Sequence, residues 1–151
     1  MHWSSDPTSY APQCRTACVD RHERQTVGVL MLAHAMVHTY ELSIPLFVSI
    51  WLVQFDTIVL GPLTVGVTPA SVGAVVTGGY ALFGLGAVPG GWLTDRLGAQ
   101  VVIVGCLVGM GLAFLLLAVA PAIPAIALAL LCWGAAASVY HPAGLTLIST
   151  M

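Results

Sequence analysis

Four long apolar stretches constrain this chain more than any other feature, and they cover residues 27–53, 71–93, 100–120 and 123–148. A bilayer core about 30 Å thick takes about 20 helical residues to cross, and each stretch is long enough. Hydrocarbon offers the backbone N–H and C=O groups no partner, so each crossing segment must be an α-helix. The sequence therefore predicts an all-α membrane protein with four transmembrane helices.

Composition excludes a water-soluble globule, because 58% of the residues are hydrophobic and 7% are charged. A soluble domain has about 25% charged residues. Most of the charged residues of this chain lie in the first 24 positions, within a polar segment that contains two prolines. We predict that residues 1–25 form a flexible cytoplasmic N-terminal tail and that residues 26–151 form the transmembrane bundle.

The placement of arginine predicts the orientation in the membrane. Arg15, Arg21 and Arg24 precede the first span, Arg96 lies between the second and third spans, and the other two loops contain no Lys or Arg. Loops that carry Lys and Arg stay in the cytoplasm, so the N-terminus and the second loop are predicted to be cytoplasmic, in a multi-pass protein of the cell membrane. A net charge of -2 without any lysine gives no basis for a nucleic-acid partner.

Small residues spaced four apart within the spans predict close approaches between helices. The pairs are Gly86 with Gly90, Gly105 with Gly109, and Gly134 with Ser138. Such pairs are common in membrane helices, so they indicate a compact bundle rather than a particular function.

The loop between the second and third spans reads GWLTDRLGAQ over residues 91–100. This segment resembles the signature of the major facilitator superfamily in the same loop, G-x-L-x-D-R-x-G-R-[RK]. The matching positions are Gly91, Leu93, Asp95, Arg96 and Gly98. Ala99 and Gln100 stand where the family usually has two basic residues, so part of the charge network of this loop is missing.

The resemblance implies that the chain is part of the N-terminal half of a major-facilitator-type bundle, a transporter that rocks two six-helix halves around a central site. It also implies a conformational latch in this loop, formed by Gly91, Asp95, Arg96 and Gly98. A carboxylate at a helix end can accept hydrogen bonds from the N-terminal N–H groups of a neighbouring helix. In the family this cluster is taken to latch the two six-helix halves on the cytoplasmic side and so to favour the outward-facing state.

A weaker resemblance lies in residues 134–144, GAAASVYHPAG, which are similar to the corresponding helix of fosmidomycin-resistance-type prokaryotic members. Many proton-coupled drug exporters of the family place an arginine in this helix, and none is present here. Any coupling must therefore use other groups.

Three ionisable residues lie inside the first span, where a charged group costs about 2.5 kcal/mol or more and is a functional candidate by default. His34, His38 and Glu41 stand at i, i+4 and i+7, which places them within about 60° of one helix face. Pro45 has no N–H to offer the Glu41 carbonyl, so we expect a kink and a free backbone acceptor beside the acid.

His141 in the fourth span is the fourth candidate. At a rise of about 1.5 Å per residue, it falls between the depths of His34 and His38. The resemblance implies that both helices line the central cavity, so that His141 faces the other three. Imidazoles beside a carboxylate suit proton exchange near neutral pH.

Three interpretations of these side chains stay open. They form a site for proton coupling or substrate binding, they only hydrogen-bond neighbouring helices, or they form a metal site built from His34, His38, Glu41 and His141.

The first hypothesis for the whole chain is a proton-coupled secondary transporter that exports a small organic compound as an antiporter. We expect it to be truncated and inactive alone, with a missing C-terminal half or a second chain as partner, and we expect neither enzyme activity nor a cofactor. The alternatives are a small four-helix dimeric multidrug exporter, or a non-transporting or metal-binding membrane subunit.

Overall fold

The computed structural model describes residues 21–150, apart from the side chain of His22. The predicted tail lies outside the described residues up to position 20. The elements are α1 (Arg21–Gln54), β1 (Thr57–Leu60), β2 (Leu63–Gly66), α2 (Pro69–Leu85), α3 (Ala87–Leu97), α4 (Ala99–Ala118), α5 (Ile123–Ser138) and α6 (Tyr140–Ser149).

The predicted spans correspond to four helical units. α1, α4 and the stretch Ile123–Ser149, which comprises α5 and α6, are each long and apolar enough to cross a membrane, and α2 with α3 forms a fourth unit bent by 47°. Pro124 lies in the first turn of α5, where its missing N–H costs nothing. The prediction of an all-α membrane bundle is confirmed.

A β-hairpin joins α1 to α2, where the sequence predicts only a break. β1 and β2 pair antiparallel, with Thr57 opposite Gly66 and Leu60 opposite Leu63. The turn between them has Gly61 at a φ of 61°, which a residue with a side chain rarely adopts. The Ile, Val, Leu and Thr side chains of this segment favour strands, but a run of four is too short to stand out in an apolar sequence.

Two of the four units are broken at the same level and pack on each other there. The first break lies at Gly86, between α2 and α3, and the second at Val139, between α5 and α6. A proline follows each break by three residues, Pro89 in α3 and Pro142 in α6, and neither can donate to the preceding turn. A Cβ added at Gly86 would lie 2.6 Å from the Ser138 Cβ.

α5 forms the centre of the bundle, packed along α2 on one side and along α4 on the other. Trp133 and Ala137 are fully buried in it. A Cβ at Gly134 would overlap the Gly79 carbonyl oxygen, so only glycine permits this approach of α5 to α2. A Cβ at Gly109 would lie 2.9 Å from the Ala136 Cβ, whereas one at Gly105 would meet nothing within 4 Å. The predicted packing role is therefore confirmed for Gly109 and wrong for Gly105.

Candidate proton-coupling and substrate site

α1 presents His34, His38 and Glu41 on one face. His38 Nδ1 lies 2.9 Å from Glu41 Oε2, within hydrogen-bond distance, and the ring centroids of His34 and His38 are 4.5 Å apart in an edge-to-face arrangement. The side chains of His38 and Glu41 are 44% and 26% exposed. The acid and both imidazoles thus form one continuous polar strip at the surface of the described bundle.

α6 brings the fourth predicted residue to this strip. The His141 ring centroid lies 6.2 Å from that of His34, and the Tyr140 ring lies 5.8 Å from His34. The Tyr140 hydroxyl donates a hydrogen bond of 3.1 Å to the Leu30 carbonyl oxygen, which ties α6 to α1. The structure therefore places all four predicted residues together.

Tyr80 of α2 contacts the acid through the backbone. Its hydroxyl donates a hydrogen bond of 3.1 Å to the Glu41 carbonyl oxygen. This carbonyl lacks its usual helical donor because Pro45 stands four residues further along α1. The structure confirms that the Glu41 carbonyl lacks a donor within its own helix. The donor that it finds instead is Tyr80, to which the sequence assigns no role.

Aromatic side chains of α2 and α5 continue the site beyond the strip. The Trp133 ring centroid is 5.3 Å from Tyr80 and 5.8 Å from Phe83, and Phe83 is 6.1 Å from His141. Trp133 Nε1 is buried without a hydrogen-bond partner among the described residues, so the indole contributes packing there. No spacing rule in the sequence identifies Tyr80, Phe83 and Trp133 as neighbours of the histidines, because these side chains meet only through the packing of four helices, α1, α2, α5 and α6.

A cleft of about 270 Å³ between α1 and α6 opens onto the strip, and His34, Tyr140 and His141 line it together with apolar side chains. A cleft of about 420 Å³ lies nearer the start of α1, between α1 and α4, and is lined mainly by aliphatic side chains such as Val29, Ile103 and Leu107. Only the smaller cleft contains predicted site residues, and we take it as the opening of the candidate site.

Metal binding gains no support from the geometry. Within residues 21–150, no three side chains of His, Cys, Asp or Glu are grouped so that they could hold a metal ion.

The predicted latch residues lie at the end of α3. Gly91, Asp95 and Arg96 belong to the helix, and Gly98 follows it with a φ of 84°, which turns the chain into α4. The Arg96 guanidinium carbon lies 4.1 Å above the centroid of the Trp92 ring. Asp95 is exposed. Arg96 is thus held by an aromatic face of its own helix, a contact that the loop signature does not predict.

Comparison with known proteins supports the assignment of a family. Residues 28–151 match the family model described as Major Facilitator Superfamily. No curated protein and no solved structure matches the chain. The narrower likeness to fosmidomycin-resistance-type members stays a prediction.

Proposed function

The chain belongs to the major facilitator superfamily, and from that premise we propose that it supplies part of a proton-coupled exporter of a small organic compound. The members of this family are transporters in the membrane rather than enzymes, and the apolar helices of this chain agree with a multi-pass membrane protein. Proton coupling and the direction of transport are what we propose in addition to this family assignment.

One observation carries the proton-coupling proposal. His38 and Glu41 lie 2.9 Å apart on a helix that crosses the membrane, and the His34 and His141 rings extend the same polar strip. Ionisable groups at membrane depth are expensive and mark ion or substrate pathways. A carboxylate and adjacent imidazoles can pass a proton between them, as proton relays in transporters require. We therefore propose Glu41, His34, His38 and His141 as the coupling and substrate residues.

The exposure of the strip supports the proposal that further helices belong to the functional transporter. His34 and His141 are exposed, and the His38 and Glu41 side chains are partly so. Polar side chains of a membrane bundle face protein or a water-filled cavity rather than lipid. Alternating access also needs two bundles that rock around the site between them. We propose that other helices, on the same or a second chain, cover this strip, and that the residues described here are inactive without them.

We further propose that the N-terminus and the loop after Arg96 are cytoplasmic, in the cell membrane. The proposal rests on the arginines at these two places. An even number of membrane crossings lies between them, so both can be on the same side of the membrane.

Glu41→Gln in the complete transporter that contains these helices tests the coupling proposal. We expect this variant to lose pH-driven substrate uptake into proteoliposomes, because the amide cannot exchange a proton. Asp56→Asn is the matched control, since Asp56 lies just beyond the end of α1 and is exposed. Unchanged pH-driven uptake in a folded Glu41→Gln protein would remove Glu41 from the mechanism.

A further inference from the structure

The larger cleft, of about 420 Å³ between α1 and α4, lies outside the candidate site and is polar at one end only. Its polar lining residues are Gln25, Thr26 and Gln100, and all of them lie within the first two turns of α1 or α4. The remaining lining residues are apolar: Val29, Leu30, Ala33, Ile103, Val104, Leu107 and Leu147. The cleft thus changes from polar to aliphatic along the direction of the helices.

The polar end of the cleft lies at a membrane surface. α1 begins with the charged segment Arg21–Arg24, and α4 begins directly after the turn that carries Asp95 and Arg96, so neither start can lie in hydrocarbon. Ala33 follows Gln25 by two turns, which places it about 12 Å deeper at a rise of about 1.5 Å per residue. The hydrocarbon of one leaflet is about 15 Å thick. The aliphatic part of the cleft therefore spans most of one leaflet.

The shape of the cleft suits an extended hydrocarbon chain. Val29 and Val104 form its open rim and are 68% and 61% exposed, whereas Leu30, Ala33 and Ile103 are buried and form its floor. Spread over about 12 Å of depth, 420 Å³ gives a mean cross-section of about 35 Å², less than half that of a helix about 10 Å across. An acyl chain therefore fits the cleft better than a further helix does.

Arg21 extends one lining row of α1 beyond the polar end. Residues four apart are neighbours on a helix surface, so Arg21, Gln25, Val29 and Ala33 form one row, and the last three line the cleft. Arg21 is exposed. A guanidinium and side-chain amides are hydrogen-bond donors suited to phosphate oxygens.

The acids at this end of the described bundle do not line the cleft. At 100° per residue, Glu23 lies about 160° around α1 from Arg21, and Asp95 belongs to α3. The formal charge in line with the polar end is therefore positive, the sign that complements a phosphate.

We propose that this cleft binds an anionic phospholipid, with one acyl chain in the aliphatic part and the phosphate at Arg21, Gln25 and Gln100. Basic pockets between membrane helices bind anionic lipid head groups by the same combination of charge and hydrogen bonds. The proposal does not depend on proton coupling, because Glu41 and the histidines of the candidate site do not line this cleft.

Two lipids that differ only in the head group test the proposal. Dioleoylphosphatidylglycerol and dioleoylphosphatidylcholine would each be titrated into the purified full-length chain in detergent, and native mass spectrometry would count the lipids bound to each chain. We expect one phosphatidylglycerol to bind about 3- to 10-fold more tightly than phosphatidylcholine, the factor that one arginine near a lipid surface contributes. Equal affinities for the two lipids would overturn the proposal.

Two arginine variants locate the head group. Arg21→Gln should weaken phosphatidylglycerol binding about 3- to 10-fold and leave phosphatidylcholine binding unchanged. Arg24→Gln removes the same charge and is the matched control, because Arg24 lies about 180° around α1 from Ala33 on the lining face. Equal losses in both variants would show attraction by the overall charge and contradict the assignment to this cleft.

Two valine variants locate the acyl chain. Val104→Phe fills the rim of the cleft and should weaken phosphatidylglycerol binding at least about 3-fold. Val108→Phe is the control, since Val108 is 56% exposed on the same helix and does not line the cleft. Unchanged binding in Val104→Phe would place the lipid elsewhere. A purified dimer that Val104→Phe converts to a monomer, without preference between the lipids, would assign the cleft to a second copy of the chain instead.

Discussion

At the scale of single residues, Glu41 is held by contacts of two kinds. Its side chain contacts His38, and its carbonyl accepts from Tyr80 because Pro45 leaves that acceptor free. The first contact follows from helical spacing within α1 and can be predicted from the sequence. The second joins residues 39 positions apart, and the sequence predicts only that an acceptor is free, not which donor reaches it.

Tyr80→Phe should destabilise the protein by about 0.5–1.5 kcal/mol, because the Glu41 carbonyl then lacks a donor. The free energy of unfolding in mixed micelles measures this effect. Tyr40→Phe is the control, since the hydroxyl of Tyr40 makes no hydrogen bond among the described residues.

A double mutant tests the cause of this effect. Pro45→Ala restores the helical N–H, so we expect Tyr80→Phe to cost less in that background than in the native one. An equal cost in both backgrounds would show that the Tyr80 hydroxyl matters for another reason.

At the scale of elements, the two breaks at Gly86 and Val139 shape the site. α6 begins at Tyr140, directly after the second break, and carries His141 to the strip on α1. The close approach of Gly86 to Ser138 keeps the two broken units in contact at this level. The prolines indicate where a helix weakens, but they do not determine which helix faces the break.

Gly86→Ala should destabilise the bundle by about 1–3 kcal/mol, because its Cβ would lie 2.6 Å from the Ser138 Cβ. Gly84→Ala, two residues earlier, meets nothing within 4 Å and should be neutral or slightly stabilising. Unfolding in mixed micelles compares the two variants.

Relief of the clash provides a further check. Ser138→Gly should recover part of the stability lost in Gly86→Ala, because it removes the side chain that the new Cβ meets. If Gly86→Ala proves no less stable than Gly84→Ala, the Ser138 side chain does not limit the approach of the two broken units.

At the scale of the whole molecule, the proposed function depends on the orientation of the chain in the membrane. The hairpin of β1 and β2 and the turn at Asp95 lie at opposite ends of the α2–α3 unit. The arginine distribution predicts that the Asp95 turn is cytoplasmic and therefore that the hairpin is outside.

Cysteine labelling in intact cells measures this orientation. In a background without the native cysteines, Thr64→Cys should react with a membrane-impermeant maleimide, and Asp95→Cys should react only after the cells are permeabilised. Both positions are exposed, so a difference in reactivity reports sidedness rather than burial. The opposite pattern would reverse the proposed orientation and place the predicted latch residues outside.

The sequence by itself determined the four membrane-crossing units, their approximate limits and the shared face of His34, His38 and Glu41. Each of these follows from a local rule: hydrocarbon requires helical hydrogen bonding, and a helix places residues i, i+4 and i+7 on one side. Only the tertiary structure decided that His141 and Phe83 meet, that Tyr80 reaches the Glu41 carbonyl, and that a hairpin fills the first loop. Those features depend on how the helices are rotated and shifted against one another. This arrangement is set by many small packing contacts between residues far apart in the sequence.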